Sequence, residues 1–162
     1  MDDPLWQADR PHMPGYGLMS AEAGAGLLSW DQLATWFASA RNYWVVVVTP
    51  DGRPHATPVW GLWHGGQFYF SSGEQSRKAA SLRLNPAIVV HLESGDEVAI
   101  LEGMAVVLED KALLAELGEA YLAKYGVGLQ ASPVYRVDAS RAFAWREADF
   151  PGSATRWTLG KS

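Results

Sequence analysis

Ser76-Arg77-Lys78 opens a helical stretch, and its residue types are an unusual choice for that place. A helix N-terminus carries about half a positive elementary charge and several unpaired N–H groups. Yet the first residues after the capping Ser76 are both cations. A phosphate placed there would be held by backbone donors and by both side chains, which predicts a phosphorylated ligand. The plain alternative is that both side chains swing into solvent. Ser71 and Ser72, just upstream, add hydroxyls that either serve the same anion or form ordinary loop contacts.

A second feature precedes it by about twenty residues. In the strand-like run Arg53 to Trp63, alternation puts Arg53, His55, Thr57, Val59 and Gly61 on one face and Ala56, Pro58, Trp60 and Leu62 on the other. Pro58 cannot donate to a strand ladder, so it marks an edge or a bulge. A flat aromatic cofactor would lie against the backbone of Thr57, Pro58, Val59 and Trp60. The competing reading is an ordinary edge strand.

Other chemistries find less support. The four histidines form no H-x-x-H or H-x-x-x-H pair, so no metal site is expected. Glu93, Asp96 and Glu97 surround a turn, which suits a solvated loop better than paired catalytic carboxylates. The glycine pairs match neither a dinucleotide fingerprint nor a phosphate-binding loop. With no cysteine there are no disulfides, thiolate ligands or cysteine nucleophiles, which fits a cytoplasmic protein. A net charge of −5 without a basic run argues against nucleic acid as a partner. The start M-D-D-P lacks the marks of a signal peptide, and no apolar run is long enough for a membrane span.

The elements that must position these residues follow from the pattern. In 162 residues, 48% are hydrophobic and 19% charged, as expected of one globular domain with its own core. Residues 1–28, rich in Pro and Gly, read as an extended arm whose Trp6 and Tyr16 pack on their own barrel or on a second subunit. Residues 29–162 read as one domain. Ser29-Trp30-Asp31-Gln32 is a capping-box pattern opening a helix with Trp30, Leu33, Trp36, Phe37 and Ala40 on one apolar face.

From Tyr43 the period becomes that of strands. Tyr43 to Thr49 is nearly continuous in apolar and β-branched residues and reads as buried on both sides. Arg53 to Trp63 and Gln67 to Ser71 follow across turns at Asp51-Gly52 and Gly65-Gly66. The helix from Ser76 ends at Leu84, before Asn85-Pro86. Ala87 to Leu92 pairs with Glu97 to Leu108, a helix spans Lys111 to Tyr125, and Val134 to Val137 with Ala142 to Trp145 reads as a final strand pair. The predicted class is mainly β with flanking helices, in a closed or split barrel.

Taken together, T-P-D-G-R-P-H-A-T-P-V-W-G-L-W, F-Y-F-S-S-G, S-R-K-A-A-S-L-R-L-N-P, V-A-I-L-E-G-M-A and V-Y-R-V resemble the pyridoxamine 5′-phosphate oxidase-like split β-barrel proteins. That group includes flavin- and deazaflavin-dependent oxidoreductases. The resemblance, spanning about Arg41 to Val137, implies a homodimer with two cofactor sites at the subunit interface. It implies that Thr57 to Trp60 lie near the cofactor ring, with Ser71, Ser72, Arg77 and Lys78 at the phosphate. Relatives often carry Asn three residues after the Lys, where this chain has Ser81. P-V-W and S-R-K look more like the deazaflavin branch, which uses coenzyme F420, than like true pyridoxamine phosphate oxidases, whose C-terminal R-x-H-D-R pattern has no counterpart here.

The function this implies is hydride transfer between coenzyme F420, or alternatively FMN, and a small conjugated organic substrate. A non-catalytic carrier of FMN, heme or deazaflavin is the competing reading, and an interaction domain without cofactor is a third. No residue stands out as acid or base; Tyr43, His55 and Arg156 are the side chains offered for polarising a substrate. Arg10, Arg41, Arg53 and Arg83 are candidates for a basic groove along an acidic cofactor tail.

Overall fold

The computed structural model describes residues 6–129 and 132–159; the first residues of the expected arm, Pro4 among them, lie outside these. Nine strands and four helices are formed: β1 (Trp6–Asp9), α1 (Trp30–Ser39), β2 (Tyr43–Val48), β3 (Pro54–Val59), β4 (Gly61–His64), β5 (Gln67–Ser71), α2 (Arg77–Leu84), β6 (Ala87–His91), β7 (Glu97–Val107), α3 (Lys111–Tyr125), β8 (Val134–Arg146), α4 (Phe150–Ser153) and β9 (Thr155–Leu159). All strand pairings are antiparallel, and the main path runs β1-β9-β8-β7-β6-β2-β3. β5 joins β8 on one side and β4 on the other. The expected mainly β split barrel with flanking helices is what the chain forms.

Two strand assignments are corrected. Arg53 to Trp63 is not one strand: β3 pairs with β2, whereas β4 pairs with β5, and the switch falls at Trp60. Gly61 is what permits it. A Cβ at this position would lie 2.5 Å from Phe68 Cζ and 2.9 Å from Tyr69 O, too close for any other residue. The late strand pair is likewise one strand, β8, of 13 residues. Its first half takes β5 as neighbour and its second half takes β9, while β7 runs along the opposite edge of both. The register shifts at Glu102/Gly103, where Ser140 has no partner; this bulge bends the strand pair around the barrel.

The turn positions hold. Gly65 and Gly66 both adopt positive φ, 57° and 78°, as a two-residue hairpin between twisted strands requires. β3 is the edge of its path, which is how the sheet tolerates Pro58.

The core fills the barrel with the inner faces of β2, β6, β7 and β8, sealed at one opening by α1. Trp30, Leu33, Trp36 and Phe37 are all buried, each contributing roughly 1.5–3 kcal/mol by leaving water. Ser29 caps this helix through Gln32 N at 3.2 Å, but the Gln32 side chain accepts from Arg146 Nη2 at 3.0 Å. The arm packs on its own barrel. β1 pairs with β9, and the Trp6 ring stacks on Trp30 at 4.5 Å.

β2 departs from the expectation of burial on both sides. Tyr43, Val45 and Val47 are buried, while Trp44, Val46 and Val48 are half-buried on the outer face. That face continues across the sheet into exposed Ala56, Pro58, Met104 and Val106. No described helix is long and apolar enough to cross a membrane.

Candidate functional site

Three elements carry the residues singled out above. Thr57, Pro58 and Val59 end β3, and Trp60 sits at the switch into β4. Ser71 ends β5 and Ser72 follows it, while Arg77 and Lys78 form the first turn of α2. α2 packs on β2, the strand that pairs with β3.

The helix start is built as its sequence predicts. Ser76 Oγ accepts from Ala79 N at 3.1 Å, and lies 2.9 Å from Ser72 Oγ. Arg77 is exposed, and Lys78 is half-buried. Lys78 has no ion pair or hydrogen bond among the described residues, and burial lowers its pKa from the usual lysine value. An ammonium in this state faces a positive helix end and partial desolvation together. Ser71 is committed elsewhere: its hydroxyl donates to Pro133 O at 2.9 Å. Ser81 is buried and faces the interior of the protein.

On β3, His55 and Thr57 share the face that looks toward Val47 and Val45 of β2. His55 Nδ1 and Thr57 Oγ1 are both shielded from solvent, with no hydrogen-bond partner among the described residues. Such orphaned polar atoms are rare in folded proteins and costly to leave unpaired. Pro58 and Trp60 are exposed.

Two offered substrate-polarising groups are placed otherwise. Tyr43 is fully buried: its hydroxyl donates to main-chain carbonyls at the end of α1, one of them Ala40 O at 3.1 Å, and burial raises its pKa well above the usual tyrosine value. Arg156 lies on β9, with β8, β7, β6 and β2 between it and β3, and pairs with Asp9 at 3.7 Å. The arginines offered for a basic groove are also dispersed. Arg10 donates to the carbonyls of Met19, Ala25, Gly152 and Ala154, Arg53 pairs with Asp51 at 3.1 Å, and Arg83 donates to Glu74 O at 3.2 Å.

Arg41 instead joins a cluster that sequence reasoning missed. Its guanidinium lies over the Trp60 and Tyr125 rings, at 5.3 and 5.4 Å, and those rings stack at 4.5 Å and 7°. Lys124 Nζ donates to Tyr43 Oη at 2.8 Å and to Gly61 O at 3.0 Å. Burial and the nearby Arg41 charge bring the Lys124 pKa down to about 8. The signal was Tyr121, Lys124 and Tyr125, three and four residues apart on one face of α3.

Cavities open elsewhere on the chain. One of about 370 Å³ lies between Trp6, Trp30, Trp63 and Val137, and a groove of about 410 Å³ crosses the outer sheet face beside Val46, Val89 and Met104. None of Thr57 to Trp60, Ser72, Arg77 or Lys78 lines either. Among the described residues no cluster of three or more metal-ligating side chains occurs.

The family model described as Pyridoxamine 5′-phosphate oxidase matches residues 29–149. The chain belongs to that family. Curated proteins give no match. Several solved structures share the fold of this family member. The conserved hypothetical protein Rv2991 from Mycobacterium tuberculosis is similar at 24% identity, over 74% of this chain and 85% of that one, with a TM-score of 0.66. General Stress Protein 26 from Bacillus anthracis str. Sterne gives 18% identity, 71% and 92% coverage, and 0.60. A heme binding protein from Mycobacterium smegmatis gives 20% identity, 73% of this chain but 54% of that one, and 0.60. At these identities the likeness is one of fold.

Proposed function

We propose that this chain is an oxidoreductase moving a hydride between a flavin-type cofactor and a small, planar, conjugated organic substrate, with coenzyme F420 favoured and FMN the alternative. The observation that carries the reading is Lys78, a half-buried cation in the first turn of a helix with no counter-ion among the described residues. A cofactor phosphate resolves that conflict. It would accept from the Lys78 and Arg77 side chains and from their own amides, the Ala79 amide being taken by Ser76. The paired hydroxyls of Ser72 and Ser76 border the same point.

The orphaned Thr57 Oγ1 and His55 Nδ1 fit a ligand lying along β3, since a polyol or ring amide would satisfy both. Pro58, Val59 and Trp60 then frame the ring, and Trp60 keeps water from one side. A cofactor of this type supplies the hydride chemistry itself, so the chain's part is to bind, orient and desolvate. The deazaflavin preference rests on the P-V-W and S-R-K segments alone.

The second reading is a non-catalytic carrier of FMN, heme or deazaflavin. It is favoured by the commitment of Tyr43 and by the place of Arg156 on β9, away from β3, which leaves His55 as the sole side chain of the three offered near the ring site. Parallel titration of the purified chain with the deazaflavin coenzyme and FMN, followed by fluorescence, tests the site. Binding of neither sinks the oxidoreductase and leaves only a heme carrier, which a heme titration tests in turn; binding without reduction of any conjugated ketone or enone by the reduced complex leaves the carrier.

We further propose a homodimer joined through the outer face of β3, β2, β6 and β7. Its support is the apolar character of that face, with Met104 47% and Val106 38% exposed in the single chain.

A further inference from the structure

Two side chains of α3 reach the strand switch that follows the segment proposed to frame the ring. Trp60 is the one residue between the two strand ladders and Gly61 is the first residue of the second, since residues up to Val59 pair with β2 and residues from Gly61 pair with β5. Tyr125 and Lys124 reach it from α3. Gly61 N donates to Tyr125 Oη at 3.0 Å. That hydroxyl lies 2.9 Å from Gly61 O and 2.7 Å from Arg41 O, either of which takes its proton. Lys124 Nζ adds its bond to the same Gly61 O. One residue away, the Trp60 indole lies flat on the Tyr125 ring, with the Arg41 guanidinium over both.

Neither cation has an acidic partner. Arg41 and Lys124 form no ion pair among the described residues, and the groups facing Lys124 are Arg41, Tyr43 and Tyr125, with Tyr121 beside Tyr125. The bonds at Gly61 therefore do not form part of a surface charge network. They end on the N–H and the C=O of one residue, Gly61, next to the point where the chain changes partner.

We infer that Lys124 and Tyr125 are positioning residues that clamp the Trp60–Gly61 strand switch in the shape the ring site needs. The inference rests on the reading that Thr57 to Trp60 frame the cofactor ring. α3 does not touch the ligand in this view; it fixes the plane of Trp60 and the direction of the peptide that follows.

The test uses the full chain with FMN and with riboflavin, which lacks the phosphate. Tyr125→Phe and Lys124→Met are each expected to weaken both ligands by about tenfold, the loss of one or two hydrogen bonds to a buried peptide. They should also alter the visible circular dichroism of the bound ring. Arg77→Ala with Lys78→Ala should weaken FMN while leaving riboflavin unchanged, which separates the ring end from the phosphate end. Hydrogen exchange at the Gly61 amide should speed up in Tyr125→Phe, with the amides of β6 and β7 unchanged as evidence of an intact barrel. Wild-type affinities and ring spectra retained in both α3 variants would overturn the clamp. Failure of the wild-type chain to bind either ligand or coenzyme F420, with Gly61 still protected, would overturn the ring-site reading on which the clamp depends.

Discussion

Lys78 carries a charge that its own helix opposes, and the size of that conflict can be read by removing it. Lys78→Ala is expected to weaken binding of a phosphorylated cofactor by about 1.5–3 kcal/mol, the value of a hydrogen bond to a charged group, measured by fluorescence titration. Arg77, being exposed, should contribute less. Arg10 makes the opposite case, a cation satisfied wholly by carbonyls of the arm and the C-terminal segment. Arg10→Met should destabilise the chain by roughly 2–4 kcal/mol in urea unfolding, because four acceptors lose one shared donor. At this scale the sequence was legible where partners are local. Ser76 and the Ala79 amide that donates to it lie three residues apart, and the cap follows from type and spacing alone. Tyr43 was not legible, because its partner Lys124 is 81 residues away and alternation gives a side chain's face but not its hydrogen bonds.

Elements repeat this contrast between local and distant causes. The alternation from Arg53 to Trp63 runs unbroken through Trp60, so no local pattern marks the change of partner; the cause is Gly61 meeting Phe68 across the hairpin. In β8 the polar run Asp138-Ala139-Ser140-Arg141 looks like a turn, but it is a bulged stretch of the strand, with Ser140 the extra residue opposite Glu102 and Gly103. A Cβ at Gly103 would sit 2.1 Å from Asp138 O and 2.7 Å from the Ala139 Cα, both backbone atoms that cannot step aside. Gly103→Ala should therefore lower the unfolding free energy by about 2–4 kcal/mol, read from urea denaturation. Helix α3 contributes a pH dependence through Lys124. Its pKa is about 8 in the folded chain against 10.5 when unfolded, so the unfolded chain binds more protons between these values. Stability should rise from about pH 8 toward 10, and Lys124→Met should flatten that rise. Tyr43 acts oppositely above pH 10: its raised pKa favours the protonated folded form, and stability falls as the unfolded chain ionises first.

For the whole molecule, the informative feature is a sheet with one filled inner face and an outer face on which apolar side chains surround the Glu102–Arg141 ion pair. The inner face is filled; the outer one, from Pro58 through Val46 and Val89 to Met104 and Val106, is not. If a second copy covers it, Met104→Asp combined with Val46→Asp should convert dimers to monomers in light scattering after size exclusion. Retention of the dimer would move the interface elsewhere. The sequence recorded this face as a continuous apolar strand, which holds equally for a strand between two layers of one chain and for one between two chains.

The stacking of Trp6 on Trp30, within a group that also brings Trp63 and Trp157 to Trp30, places indole rings 4.5 to 6.2 Å apart at the junction of arm and barrel. Transition dipoles so close exchange excitation energy. The arm therefore carries its own optical label: its docking state is written in the tryptophan exciton signal of the unmodified chain, and Trp6→Phe marks which part of that signal belongs to it.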